Sequence, residues 1–564
     1  MTIKTKKIFA TFIVFCTLTI ANAQSHWCDS IAVSAQLSAS VSSNSKLNPL
    51  WLYSNQWGIY TQYQQAEILA YAKANIRIAN FKNFNMHLGI GGVGTSEWDR
   101  SMLHEAYIAG KAYIFDYTIG MQAHSPFARY DYLTSGNYLM SSNARPYPRI
   151  GLGIFDYWSL PYTHNWLQIK GAIYVGRLFN EYDANDEFKC TYTRDVTMSE
   201  KFAFVRLGGW IAKPYFGLVH SVMMGGTLPD GVEIPIDFWA SLWGKGSEKF
   251  RDIGELRGEA TNAAGAHQGL WDMGIDFEFD KIKGSVYLQR MFRDNAGTNP
   301  FSEFNKDFIL GGRIELNNRW LSAVNLEYFK TSYQSGSGTP DPIGYDKNGI
   351  LMAVYPGDYP SDEEGFQKWL KQHFTAEDIS TWETEYNATV DVTTANWFLR
   401  TFWNCGDYGG RKNYLDNGLY RQGWSQGGLS MGTALFHSKI TSSKYIPDGQ
   451  TTPDISFFTN SRVEAVTLGA DGIIIPNKLT YVLKYTASKN HGSLSEKYNG
   501  SFGLTVVENY FYLTSKMEYY SLLKLNYMHN TQWSGNLSMA YDYGDLYKSF
   551  GIRVGVSYKL GRKI

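Results

Sequence analysis

Apolar and polar positions alternate with a period of two through long stretches of this chain. In Ser549–Leu560, one face carries Phe550, Ile552, Val554, Val556, Tyr558 and Leu560, and the other Ser549, Gly551, Arg553, Gly555, Ser557 and Lys559. Lys478–Ala487 sets Leu479, Tyr481, Leu483 and Tyr485 against Lys478, Thr480, Lys484 and Thr486. In Ile282–Gln289 the two sets are Ile282, Val286 and Leu288 against Lys283, Ser285, Tyr287 and Gln289. Successive strand side chains point to opposite faces, so each segment reads as a strand with one apolar and one polar side. Leu103–Gln122 reads as a hairpin turning near Phe115-Asp116, and Gly89–Asp99 (GIGGVGTSEWD) as a turn between strands. A dinucleotide loop would need a helix directly after those glycines, and none follows.

Such alternation suits a soluble sandwich or a membrane barrel. Three features favour the barrel: a secretory leader, aromatics near the ends of many segments, and strands of about ten residues. The leader consists of Lys4, Lys6 and Lys7, an apolar run from Ile8 to Ile20, and Ala21-Asn22-Ala23 as a cleavage site. Beyond it no apolar run approaches the roughly 18 residues of a spanning helix. In lipid the backbone must satisfy itself, so the sheet has to close. The predicted fold is therefore all-β: an antiparallel transmembrane β-barrel of about 16–18 strands, with long loops and short helical elements at the barrel mouth. Residues 1–23 form the cleaved signal, 24–60 an N-terminal periplasmic segment, and 61–564 the barrel. The lumen face, rich in Tyr, Asn, Gln, Lys and Arg, predicts a polar interior.

Composition sharpens the picture. Aromatics make up 16% of the 564 residues and charged residues only 18%, an unusual balance for a soluble enzyme. Loss of the three leader lysines takes the formal charge from +0 to about −3, and nothing suggests nucleic acid. Cys28, Cys190 and Cys405 are odd in number and far apart, without zinc-site spacing. Neither a cofactor nor a metal is expected. No nucleophile motif, HExxH or decisive carboxylate pair appears, so the chain reads as a non-enzyme. His104, Glu105, His124, Ser125, His164 and His267 are the residues an acid/base site would have to use. Asp272, Asp276, Glu278 and Asp280 read as a charge row facing the lumen.

Three stretches break the alternation. Ser335–Asp341 (SGSGTPD) is a loop tip. Within a partly helical loop near 335–395, Phe366, Trp369, Leu370 and Phe374 have the spacing of an amphipathic helix face, suited to capping the barrel mouth. Thr134–Ile150 (TSGNYLMSSNARPYPRI) holds Pro146 and Pro148, which cannot donate ladder hydrogen bonds. This segment either plugs the pore or presents Asn137, Ser141, Asn143, Arg145 and Arg149 to an anionic polymer, since guanidinium groups fork onto carboxylates and phosphates.

LHEAYI (Leu103–Ile108), the Thr134–Ile150 stretch, NPLWLYSNQWGIY (Asn48–Tyr60), GAHQGLWDMGIDFEF (Gly265–Phe279) and KNYLDNGLYRQGWSQGG (Lys412–Gly428) together resemble the Wzi family of capsule-assembly proteins, in particular its Bacteroidetes branch. The resemblance runs from about Asn48 to the C-terminus. It implies an outer-membrane barrel of about 18 strands, with helical elements blocking the periplasmic side. It further implies a lectin that holds capsular polysaccharide at the cell surface. The partners would then be capsular or other surface polysaccharide, outer-membrane lipid and capsule-export machinery. Asn143, Arg145, Pro146 and Pro148 belong to the family's most recognisable segment. The chain departs from many barrels in ending YKLGRKI, where an aromatic is usual.

Sugars bind through aromatic faces and planar polar groups. Trp158, Tyr162, His164 and Trp166, then Trp403, Tyr408, Arg411, Tyr414 and Trp424, supply both kinds, although aromatics at strand ends also anchor a membrane interface. The candidate polysaccharide site is thus Asn137, Ser141, Asn143, Arg145, Arg149, Trp158, Arg411, Tyr414 and Trp424. A porin-like channel for small solutes or oligosaccharides is the alternative reading of the same barrel.

Overall fold

The computed structural model describes residues 30–125, 132–180, 191–253, 259–260, 263–293, 299–301, 306–334, 342–354, 357–403, 413–452, 456–497 and 506–561. Eighteen strands form one antiparallel sheet. They are β1 (Ile31–Ser42), β2 (Ala66–Phe81), β3 (Phe84–Thr95), β4 (Met102–Ala112), β5 (Phe115–Met121) and β6 (Arg149–Ser159). Next come β7 (Leu167–Arg177), β8 (Thr197–Leu207), β9 (Ala212–Met224), β10 (Ala266–Phe279), β11 (Ile282–Phe292) and β12 (Phe308–Leu316). The last six are β13 (Ala323–Lys330), β14 (Val463–Ile475), β15 (Leu479–Asn490), β16 (Lys516–Met528), β17 (Trp533–Gly544) and β18 (Ser549–Leu560). Each strand pairs with its sequence neighbours, and β1 pairs with β18 from Val33↔Leu560 to Ser42↔Gly551. The sheet closes on itself and has no free edge.

The period-two reading holds on this wall. Ser549, Gly551 and Arg553 face inward and are buried, while Phe550, Val554 and Val556 face outward and are exposed. Leu37, Ile108, Leu152, Val205, Val286, Leu326 and Leu483 continue that exposed apolar band around the circumference. At one end of the barrel Phe81, Tyr113, Trp166, Trp210, Phe279, Trp320 and Trp533 form an exposed aromatic ring. An apolar belt with an aromatic girdle is the surface a strand barrel presents to a bilayer. The protein is a transmembrane β-barrel.

The two ends differ. All connections at the girdle end are short, from the turn between β2 and β3 to that between β16 and β17. The opposite end carries the long excursions: 43–65, 122–148, 178–196, 225–265, 331–462 and 491–515. Most helices belong to these loops: α1 (Leu50–Tyr53), α2 (Phe238–Trp243), α3 (Glu363–His373) and α4 (Ala376–Tyr386).

Three sequence expectations need correction. Residues 24–60 are not a periplasmic segment ahead of the barrel, because Ile31–Ser42 is the strand that closes it. Small residues such as Ser34, Ser38 and Ser40 on its inner face weaken the amphipathic signal there. The hairpin of β4 and β5 turns at Tyr113–Ile114, two residues earlier than expected. Ala112 pairs with Phe115, and Tyr113 itself takes the left-handed conformation (φ 55°). The Gly89–Gly94 run lies within β3 and is not a turn. Its Gly89 leaves room for the Tyr107 ring across the ladder, where a Cβ would collide.

The helical expectation held. Asp362 caps α3 by accepting from Gly365 N, and Thr375 and Asp378 form a capping box on α4. Phe366, Leu370 and Phe374 bury their shared face in a small core with Trp382, Phe398 and Trp403, separate from that of the barrel. Ser335–Asp341 and the three cysteines Cys28, Cys190 and Cys405 lie outside the described residues.

Candidate functional site: the filled lumen

Three stretches enter the lumen from the long-loop end: 43–65, 132–148, and the described residues 413–452 and 456–460. Their ladders are few and short, such as Ser425↔Ser430 and His437↔Asn460, and the remaining buried backbone groups need partners. Charged side chains of the wall supply many of them. Asp542 on β17 accepts from Leu50 N at 2.6 Å. Arg553 on β18 donates to Leu52 O at 2.6 Å and to Gln56 Oε1 at 2.8 Å, and its guanidinium lies 3.8 Å from the centre of the Tyr60 ring. Lys484 on β15 donates to Thr134 O at 3.0 Å, with its ammonium 3.6 Å from the Trp51 ring centre. Glu327 on β13 accepts from Ser135 N at 3.1 Å and from the Tyr287 hydroxyl at 2.8 Å.

These contacts fix the depth of the plug. Strand β14 runs from Val463 at the long-loop end to Ile475 at the girdle end. The Leu133 backbone packs on Gly469, where a Cβ would strike the Leu133 carbonyl. The Tyr132 hydroxyl donates to Asp471 at 3.0 Å and accepts from Arg313 at 3.0 Å. The chain therefore passes more than halfway down the barrel before returning to β6. The filling segments descend from the long-loop mouth.

Most of the predicted site residues are spent inside this plug. Asn137 accepts from Leu139 N at 3.0 Å. Ser141 donates to Gly432 O at 2.6 Å, and Asn143 donates to Ser430 O at 2.9 Å. Trp424 donates through Nε1 to Leu139 O at 2.9 Å, and Tyr414 packs edge-on against Tyr138. Together they stitch 134–144 to 413–434. Arg149 bonds Glu200 at 2.6 Å and lies over the Tyr174 ring, with 8% of its surface exposed. It is a structural ion pair, not a free guanidinium for a polymer. Trp158 pairs with Ile169, which pairs with exposed Val205, so it sits on the lipid-facing wall. Tyr162, His164 and Trp166 lie in the β6–β7 connection at the girdle end. Arg411 and Tyr408 lie outside the described residues. Arg145 alone keeps a half-buried position near the long-loop mouth, its guanidinium 4.1 Å from the Phe179 ring centre.

The lumen is less polar than expected, because Trp51, Tyr138, Leu139, Tyr414, Trp424 and Phe457 form an apolar core with inward residues of the wall. Towards the girdle end polar character returns as ion pairs. Arg206–Asp276 (3.1 Å) and Lys283–Glu278 (2.6 Å) line it, while Lys73–Glu105 (2.7 Å) lies nearer the long-loop end. Asp272, Asp276 and Glu278 do face the lumen, Asp272 accepting from Tyr215 and Gln289.

Asp416 and His437 are among the ionisable groups of the plug that carry the mark of burial. Desolvation pushes Asp416 up to about 7, against the pull of hydrogen bonds from Phe458 N and Phe457 N. Burial lowers His437 to about 4. Among the described residues no cluster of three or more His, Cys, Asp or Glu is placed to hold a metal ion.

The crevice lined by Trp57, His124, Arg145, Pro146, Tyr147 and Met431 holds about 20 Å³, whereas ligand pockets run to roughly 300–1,000 Å³. A groove of about 560 Å³ lined by Leu468, Leu483, Tyr485, Leu523, Met539 and Phe550 lies on the outer wall. The wall residues that hold the plug (Glu327, Lys484, Asp542 and Arg553) went unrecognised as such from sequence. Their available signal was charge within a strand, on its inward face.

No protein-family model matches the sequence, and no curated relative is detected. Among solved structures, the chain is similar to Wzi, described as an outer membrane protein involved in group 1 capsule assembly in Escherichia coli and a carbohydrate-binding β-barrel. The identity is 10% and the TM-score 0.48, over 94% of this chain and 85% of that one. It is also similar to Pseudomonas aeruginosa OccD3 (OpdP), at 9% identity and TM-score 0.41, covering 94% and 91% of the two chains. For OprD of the same organism the values are 8%, 0.38, and 96% and 97%. At these levels the likeness assigns neither a family nor a ligand.

Proposed function

We propose that this protein is a non-conducting, non-enzymatic outer-membrane barrel that binds surface polysaccharide on its long-loop face and retains it at the cell. The observation that carries this reading is the plug: 132–148 and its partners fill the lumen beyond half its depth, tied to the wall by Lys484, Glu327, Asp542 and Arg553. The sequence resemblance to the Wzi family supplies the ligand class. In bacterial outer-membrane barrels short turns face the periplasm and long loops the exterior, which turns the Arg145 mouth outward. Retention would be multivalent, many weak contacts to repeating units adding to a firm hold.

The test pairs planar-bilayer conductance with co-sedimentation of the host's own surface polysaccharide. The expected result is no large steady current, polymer bound by proteoliposomes, and weaker binding by Arg145→Ala in a barrel that still folds. A porin-like channel, the competing reading, predicts a steady current through the unmodified protein and no bound polymer. A gene deletion that leaves the distribution of polysaccharide between cells and medium unchanged would remove the retention role.

A further inference from the structure

Outward-facing residues of the barrel wall are exposed almost everywhere, and one patch departs from this rule. On β9 the outward positions are the even ones: Phe216, paired with exposed Val205, is 43% exposed. Further along the same face, towards the long-loop end, His220 is 8% exposed, Val222 1% and Met224 2%. Something covers the wall from outside. The cover is formed by residues 225–253 and 263–265. Outward-facing Lys201 on β8 donates to the Leu242 carbonyl of α2, Ala264 O accepts from His267, and a Cβ on Gly225 would meet Ile236.

Helix α2 is thus held against the outer wall. Asp237 caps it, accepting from Ala240 N at 3.1 Å and from Ser247 Oγ at 2.8 Å, and these bonds hold the Asp237 carboxyl below its ordinary value. Gly244 ends it in the left-handed conformation (φ 63°). Ser241 and Leu242 turn toward the barrel, whereas Trp239 and Trp243, one helical turn apart on the other side, are 66% and 68% exposed. Ile236 beside them is also exposed.

We infer that the 225–253 segment is a membrane-seated flap: Trp239 and Trp243 insert into the headgroup–acyl boundary of the lipid leaflet on the long-loop side. The occupant is lipid because this tryptophan face continues the lipid-facing wall of β8–β10. Tryptophan also prefers that interface, where its ring is apolar and its N–H can still reach a partner. Nearby charges are mixed, with Lys245 and Lys249 against Glu248 and Asp252, so the attraction is chiefly apolar and tolerates leaflets of either charge.

The test uses Trp239→Cys, Trp243→Cys or Asp230→Cys, one at a time, in the full chain carrying Cys28→Ser, Cys190→Ser and Cys405→Ser. Each is labelled with an environment-sensitive fluorophore and reconstituted in phosphatidylcholine vesicles. Exposed Asp230 serves as the control on the same loop. Labels at 239 and 243 should emit to the blue and be quenched several-fold more by shallow spin-labelled lipid than by aqueous iodide, with the reverse at 230. Quenching at 239 and 243 by iodide as strong as at 230 would overturn the inference. So would protection from both quenchers together with a doubled particle mass, which would mean that a second copy covers the face. Conductance and polysaccharide binding are separate readouts, so this inference can fail while the proposed function stands.

Discussion

The wall and the plug share one barrel yet are built on different physics. Each wall strand is specified by its own alternation, and its backbone is satisfied by two neighbours in a register where one residue of slip would turn Val554 and Val556 into the lumen. The plug has no period and no continuous ladder. Its course depends on single bonds from distant residues, such as Lys484 to Thr134 O and Arg553 to Leu52 O. The lesson is that a repetitive scaffold tolerates variation at most positions, whereas an irregular filling depends on a few charged side chains aimed at its backbone.

The largest effect is expected from Arg149→Ala, at the corner where β6 and β8 meet Tyr147 at the end of the plug. It leaves Glu200 buried with only the Tyr147 hydroxyl among its side-chain partners here, at an expected cost of about 3–5 kcal/mol. Urea titration of the vesicle-embedded barrel reads it, and Arg149→Met with Glu200→Leu should recover most of the loss. If the single variant is as stable as the parent, the ion pair does not hold this corner.

The wall should respond to the opposite kind of change. Val554→Arg puts a charge on the lipid face and should cost about 2–4 kcal/mol if it lies near the bilayer midplane, while conductance stays low because the plug is untouched. A steady current in this variant would show that wall and plug are coupled.

The smallest effect is local and depends on pH. Asp416 holds its proton to about pH 7 in the plug, whereas the unfolded carboxyl releases it near its ordinary 3.8. Between those values the packed state binds more protons, so its contribution to stability falls as pH rises. His437, lowered to about 4 by burial, acts oppositely, costing stability as pH falls from 6.5. Asp416→Asn should therefore slow amide exchange across 413–440 relative to the parent at pH 8, with the difference vanishing towards pH 4. An unchanged difference at both pH values would mean that the carboxyl does not titrate in the folded protein.

How much was legible follows the same division. The eighteen-strand count fell within the expected range, and the helix face at Phe366, Leu370 and Phe374 was readable because both signals are local and periodic. The Pro146–Pro148 break correctly marked a segment that could not be wall. Its residues were harder to assign. Arg149 looks like a free guanidinium until Glu200, far along the chain, is found against it, and Trp158 looks like a sugar platform until its register sets it among lipid-facing neighbours.

By itself the sequence determined that this chain makes amphipathic strands and closes them in lipid, because alternation of side chains and satisfaction of the backbone are settled within a few residues. Only the tertiary structure decided that 43–65, 132–148 and 413–452 fill the lumen while 225–253 folds back over the outer wall. Loops have no period to reveal which side they take. Their course is set by partners hundreds of residues away, Asp542 for Leu50 and Ser430 for Asn143, which meet only once the barrel has closed.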